Sequence, residues 1–151
     1  MTTLPLPPPM RRALDLAAEA AARGEVPVGA VITVGERIVA EAGNAMRGGN
    51  DPTAHAEMRA LRAAGAALAT SRLDAATLWV SLEPCPMCAA AAGLARVARI
   101  VFAAEDPKGG GVLHGPRIFA QPTCHHRPEI LSGIGGEEAA KQLRDFFAQR
   151  R

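Results

Sequence analysis

The sequence predicts an α/β architecture, a mixed sheet with helices on both faces, and three observations predict it. Apolar residues recur at helical spacing near the start of the chain (Met10, Ala13, Leu14, Ala17, Ala18, Ala21) and again near its end (Leu143, Phe146, Phe147). Between Gly29 and Ala42 the text GAVITVGERIVAEA reads as two Val- and Ile-rich strands around a turn at Gly35-Glu36, a hairpin. Further on, the buried-type strands Thr77 to Leu82 and Arg99 to Ala103 flank a helix, which makes a β-α-β unit with parallel strands and a right-handed crossover.

Taken in order, the first helix follows a Pro-rich lead and stops at Gly24, a residue suited to a helix C-terminus. A polar loop from Gly43 to Asp51 leads to Pro52-Thr53. The alanine-rich helix Ala54 to Ala64 comes next, and Gly65 is expected to interrupt it. Pro84-Cys85-Pro86 opens the crossover helix, which runs to about Arg96. Asp106 to Pro128 is rich in Gly, Pro and His without a period, a long loop of the kind that more often carries function. Glu137 to Arg151 closes the chain as an amphipathic helix.

A chain of 151 residues suits one domain, and neither a repeat nor a linker divides it. With 48% apolar residues, many of them alanine, four Phe, one Trp and no Tyr, the core must pack small side chains closely. No apolar run approaches the ~20 residues of a membrane span, and Met1 to Met10 lacks the basic and apolar regions of a signal peptide. The expectation is a cytoplasmic protein without a membrane partner. Three cysteines argue against a disulfide framework, so a Cys-x-x-Cys pair points first to metal or redox chemistry. The charge of +2 is carried mostly by arginine, which is compatible with RNA and equally with a solvated surface.

The informative text is His55-Ala56-Glu57 and, one strand later, Pro84-Cys85-Pro86-Met87-Cys88. Cys85 and Cys88 at a helix start would project both sulfurs from one face, where unpaired backbone N–H groups favour the thiolate that zinc needs. One imidazole, His55, would complete a three-ligand set and leave the fourth tetrahedral position to water or hydroxide, as in a catalytic zinc site. Glu57 would carry protons from that water to a ring nitrogen and then to a departing amine, which is what hydrolytic deamination requires. Residues two apart on an ideal helix point to nearly opposite sides, so joining His55 and Glu57 in one pocket relies on irregular backbone at the helix start.

HAE followed by PCxxC resembles the zinc-dependent nucleoside and cytidine deaminase superfamily, whose fold is a three-layer α/β/α sandwich around a central mixed sheet. Over nearly the whole chain VPVGAVI (26–32), Asn44, DPTAHAE (51–57), SLEPCPMC (81–88), VFAAEDPK (101–108), HRPEI (126–130) and DFFAQRR (145–151) are similar to the bacterial tRNA-specific adenosine deaminases. That resemblance implies one zinc per chain on His55, Cys85 and Cys88, with Glu57 as proton shuttle and Asn44 as a hydrogen-bond partner of the base. It implies adenosine-to-inosine conversion at the wobble position of a tRNA anticodon stem-loop by a homodimer. Asp106 and Lys108 would lie near the RNA, and Phe147, Arg150 and Arg151 would line its groove. Gly109 to His114 and His125 depart from the family's usual Ala-Gly-Ala, Gly-Ser and Asn.

Other readings share some of these residues. A deaminase of free guanine, cytosine or cytidine needs the same chemical groups, and a non-catalytic zinc-bearing RNA-binding subunit would need no Glu57. A structural zinc would draw a fourth ligand from Cys124, His114, His125 or His126. Cys124 alone reads as a small apolar residue. Adjacent Phe146 and Phe147 cannot both face a core, so one is expected at an edge.

Overall fold

The computed structural model describes residues 5–150, so the expectation for Arg151 lies outside the described residues. Helix α1 (Pro8–Ala22) begins with prolines at its first turn, where a missing N–H costs nothing, and Gly24 beyond it takes a φ of 84°. Strands β1 (Gly29–Val34) and β2 (Arg37–Gly43) pair around Gly35-Glu36, with Val34 opposite Arg37 and a register shift between Ile32 and Thr33. Helix α2 (Ala56–Leu68), strand β3 (Ala76–Leu82), helix α3 (Pro86–Ala95) and strand β4 (Arg99–Ala104) follow. A single 3-10 turn (Ile118–Ala120) interrupts the long loop before strand β5 (Glu129–Ser132) and helix α4 (Gly136–Ala148).

The sheet runs β2-β1-β3-β4-β5. β1 is antiparallel to both neighbours, and β3, β4 and β5 are parallel, so the sheet is mixed as the sequence predicts. Alternating residues serve the two faces. Ile32, Leu78, Val80, Ile100 and Phe102 meet Ala56, Ala60, Ala64, Ala89 and Ala92 on one side. Val31, Val101 and Ala103 meet Met10, Leu14 and Ala139 on the other. Helices α2 and α3 therefore form one outer layer, α1 and α4 the other, which is the α/β/α sandwich of cytidine deaminase-like proteins. Large side chains come from the strands and small ones from the helices, which is how an alanine-rich chain fills a core.

One expectation fails. Gly65 does not end its helix: α2 continues to Leu68 and stops at Ala69, which takes the left-handed conformation at φ 52°. A helical glycine costs about 1 kcal/mol relative to alanine, and the packing of Leu68 against the core offsets that. Strand β5 lies beyond the sequence expectations, because it is short, follows Pro128 and is mostly exposed, so it carries no alternating pattern.

Helix α1 lies directly on the start of β1. A Cβ at Gly29 would stand 2.0 Å from the Ala13 carbonyl oxygen and 2.8 Å from the Ala17 nitrogen. Gly29→Ala is expected to destabilise the fold by about 2–3 kcal/mol, read as a lower urea midpoint at constant slope. An unchanged midpoint would mean that α1 does not rest on this residue.

Candidate metal centre

Helices α2 and α3 each begin with a residue that could cap but does not. His55 precedes α2 with φ −66° and ψ 150°, Cys85 precedes α3 with φ −68° and ψ 170°, and neither side chain bonds to its helix in the capping manner. Both side chains are released toward each other. His55 Nδ1 is 3.5 Å from Cys85 Sγ and 3.5 Å from Cys88 Sγ, and the three donor atoms all lie within 4.8 Å of one another. Ligand bonds of ~2.3 Å to sulfur and ~2.0 Å to nitrogen at tetrahedral angles put nitrogen and sulfur ~3.5 Å apart, so the triangle fits a zinc ion without rearrangement. Among the described residues this is the one His, Cys, Asp and Glu cluster of that closeness, and it has three members.

The extended backbone at His55 also resolves the difficulty of spacing. His55 stands outside α2 while Glu57 lies in its first turn, so the 100° rule of an ideal helix does not separate them. Glu57 is buried beside the Cys88 thiol. Burial pushes its carboxyl up to about 7, assisted by the Cys85 charge and opposed by its own backbone N–H and by His55. Cys85 is drawn down to about 5, foremost by the adjacent Cys88 thiol, then by the nearby backbone N–H groups of Cys88 and Met87 and by His55. Cys88 is pushed up, foremost by the neighbouring Cys85 sulfur and then by burial, so a metal bound here would displace a proton from the pair.

Asn44 is buried beside the helix start, where its Oδ1 accepts from Ala56 N–H at 2.8 Å and its Nδ2 donates to the Val26 carbonyl at 3.0 Å. The amide thus caps α2 in place of His55 and retains one N–H and one acceptor site. Asp106 accepts through Oδ1 from the N–H groups of Lys108 and Gly109, and Lys108 is exposed. Phe147 stands 49% exposed on α4, in the layer opposite α2 and α3, while Phe146 is buried, packs edge-on against it and carries the Arg150 guanidinium 3.6 Å above its ring. The structure therefore brings His55, Glu57, Cys85, Cys88 and Asn44 together and leaves Phe147 on another layer.

The remaining Cys and His residues are engaged elsewhere. Cys124 packs against the core and donates to the His126 carbonyl, His126 Nε2 bonds the Val97 carbonyl, and His114 Nδ1 bonds Glu83. His125 lines a shallow apolar hollow of about 360 Å³ beside α3. None joins the triangle. Two residues carry weight that the sequence did not reveal: Glu25 and Glu83, both buried carboxylates. Glu83 stood inside the SLEPCPMC text and Glu25 directly before VPVGAVI, and the available signal was an acid beside apolar neighbours.

The family model of the cytidine and deoxycytidylate deaminase zinc-binding region matches residues 8–104. A tRNA-specific adenosine deaminase of Agrobacterium fabrum is 50% identical over 142 residues, 94% of this chain and 93% of that protein. A solved tRNA:A34 deaminase, studied for A-to-I editing at the wobble position of transfer RNA, superposes with a TM-score of 0.88 at 50% identity, over 89% of this chain and 98% of that one. A guanine deaminase from Bacillus subtilis superposes with a TM-score of 0.66 at 33% identity, over 94% of this chain and 91% of that one.

Glu25 accepts from the N–H groups of Arg47 (3.0 Å) and Gly48 (2.8 Å) and so ties down the loop between β2 and α2. Burial alone would raise its pKa, but those two N–H groups and the Arg47 and Arg23 guanidinia outweigh it and hold the carboxyl below its usual range. A depressed folded pKa contributes stability above the unfolded value and loses it as pH falls. Glu25→Gln is therefore expected to destabilise the protein at pH 7, by an amount that shrinks progressively below about pH 4.5. Parallel unfolding curves of the two proteins at every pH would contradict it.

Proposed function

The chain belongs to the zinc-dependent cytidine and deoxycytidylate deaminase family, and we propose that it converts adenosine to inosine at the wobble position of a tRNA anticodon stem-loop. The observation that carries the chemistry is the convergence of His55, Cys85 and Cys88 on one point with buried Glu57 against Cys88. The likeness to a tRNA-specific adenosine deaminase and to a tRNA:A34 deaminase, each at 50% identity over most of both chains, supports the substrate. One zinc per chain fits this site.

His55, Cys85 and Cys88 would hold the metal. When bound, zinc supplies a Lewis acid that makes hydroxide available near neutral pH. Glu57, raised toward neutrality by burial, then takes the proton of the attacking water and delivers it to the ring nitrogen beside the reacting carbon. It then carries the proton of the newly added hydroxyl to the exocyclic amine as the C–N bond breaks, so water and adenosine become inosine and ammonia. Asn44 would offer its remaining amide N–H and acceptor site to the base, held rigid by Val26 and Ala56.

An anticodon loop presents an unstacked base that can enter such a pocket at little cost. Asp106 and Lys108 would meet the RNA beside the pocket, and Phe147 with Arg150 would meet it from α4. Residues 1–151 would act as one deaminase domain, in the cytoplasm and as a homodimer, as the family resemblance implies. No described helix is long and apolar enough to cross a membrane.

The test is inosine formation by the zinc-loaded protein on an unmodified tRNA whose anticodon begins with A, with ammonia release from free adenosine, cytidine and guanine measured alongside. Inosine at the wobble position, weakening steeply as salt rises, is the expected result. Turnover of a free base with silence on tRNA would replace the substrate while keeping the zinc chemistry. Glu57→Ala is expected to retain zinc and fold and to lose about 10²–10⁴-fold in turnover or more. His55→Ala is expected to lose zinc itself, measured by metal analysis.

A further inference from the structure

Glu83 lies two residues before Cys85, its side chain wholly buried, and deamination as derived above gives it no part. Its carboxylate is enclosed by donors from residues 106–114. Oε1 accepts from the Asp106 N–H at 3.0 Å and from the His114 imidazole Nδ1 at 2.8 Å. Oε2 accepts from the N–H groups of Val112 (3.1 Å), Leu113 (2.9 Å) and His114 (3.2 Å). Both ends of the loop are therefore tied to one carboxylate, and its only side-chain donor is His114.

The same loop rests on the backbone that presents the first thiol. The Gly111 N–H donates to the Pro84 carbonyl at 2.8 Å, and a Cβ on Gly111 would stand 2.5 Å from the Pro86 nitrogen and 2.9 Å from the Cys85 carbonyl carbon. A Cβ on Gly110 would stand 2.4 Å from Glu83 Oε2 and 2.6 Å from the Asp106 carbonyl oxygen. Only glycine fits at these two positions. The glycine pair at 110 and 111 thus lets the loop close around Glu83 and lie on the metal-ligand peptide.

We propose that Glu83 is a positioning residue. Through its clip with His114 it fixes the 106–114 loop against the Cys85-Pro86 peptide, and so sets where Asp106 and Lys108 meet an RNA substrate. The inference rests on the deaminase reading above for its substrate but not for the clip itself. A residue that merely stabilised the fold would move unfolding and zinc content. A positioning residue moves substrate affinity and loop protection while zinc stays.

The experiment compares zinc-loaded wild-type protein with His114→Ala, His114→Asn and Glu83→Gln. It measures zinc content, amide hydrogen exchange over 106–114, and KM and kcat on an anticodon stem-loop. In His114→Ala the 112–114 amides are expected to exchange about tenfold faster and KM to rise about tenfold, with kcat changed less than about twofold and zinc intact. Asparagine, whose Nδ2 donates near the position of the histidine Nδ1, is expected to restore both. Glu83→Gln, which sets an N–H among N–H groups, should exceed His114→Ala in exchange; where it fails to fold, the His114 pair decides.

Unchanged exchange in His114→Ala, faster exchange with an unmoved KM, or a fall in kcat that tracks zinc loss would each overturn the proposal. If wild-type protein leaves the stem-loop unedited, the tRNA reading fails on that result alone. The exchange comparison with zinc content then decides the clip separately.

Discussion

The site depends on one arrangement, the N-termini of α2 and α3 meeting over the sheet with their first-turn N–H groups unspent. A helix start has backbone donors without partners, and the residue before it ordinarily supplies an oxygen to satisfy them. Here the positions are filled by His55 and Cys85, whose side chains turn to each other. At α3 the Met87 and Cys88 N–H groups lie on the side of the Cys85 sulfur and help to hold its pKa down, and at α2 the Ala56 N–H goes to Asn44. The donors that would otherwise be orphaned favour a thiolate at one helix and fix an amide at the other. Burial of Glu57 follows from the same meeting, because the first turn of α2 faces α3 rather than water.

Around this centre the long loops are held by carboxylates instead of by secondary structure. Glu25 gathers Arg47 and Gly48, and Glu83 gathers Asp106, Val112, Leu113 and His114. Burying an ion costs several kcal/mol unless its lone pairs are satisfied. Burial alone would raise both carboxyls, yet N–H donors hold each of them below the ordinary range, so both remain ionised at neutral pH. Loops anchored in this way are ordered before any substrate arrives, and little ordering entropy remains to be lost on binding.

Much of this was legible because periodicity and chemistry are local properties. The hairpin turn at Gly35-Glu36, the crossover through Pro84-Cys85-Pro86 and the two outer helices follow from neighbouring residues, and the pairings agree. The ligand triangle was legible as a set of residue types, but not as a geometry. That required knowing that His55 sits outside α2 with extended backbone, which no spacing rule states. Glu83 was illegible because its partners are 23 to 31 residues away and, His114 Nδ1 apart, are backbone groups, which leave no trace in side-chain identity. β5 was hidden for the opposite reason: its partner strand is buried, but it is itself an exposed edge.

The choice among substrates cannot reside in the metal triangle, since a guanine deaminase at 33% identity shares this fold and must attack the same kind of exocyclic amine. Nor does overall charge decide, because a net +2 is too small to draw a polyanion from a distance. Discrimination has to come from short-range contact, made by groups whose positions are fixed. Loops that wandered would give an RNA backbone many weak encounters and a free base an unguarded entrance. Pinned at Glu25 and Glu83, the two loops instead hold their backbone and side-chain groups in one geometry. An enzyme that must accept one splayed nucleotide of a large RNA gains more from that rigidity than from additional positive charge.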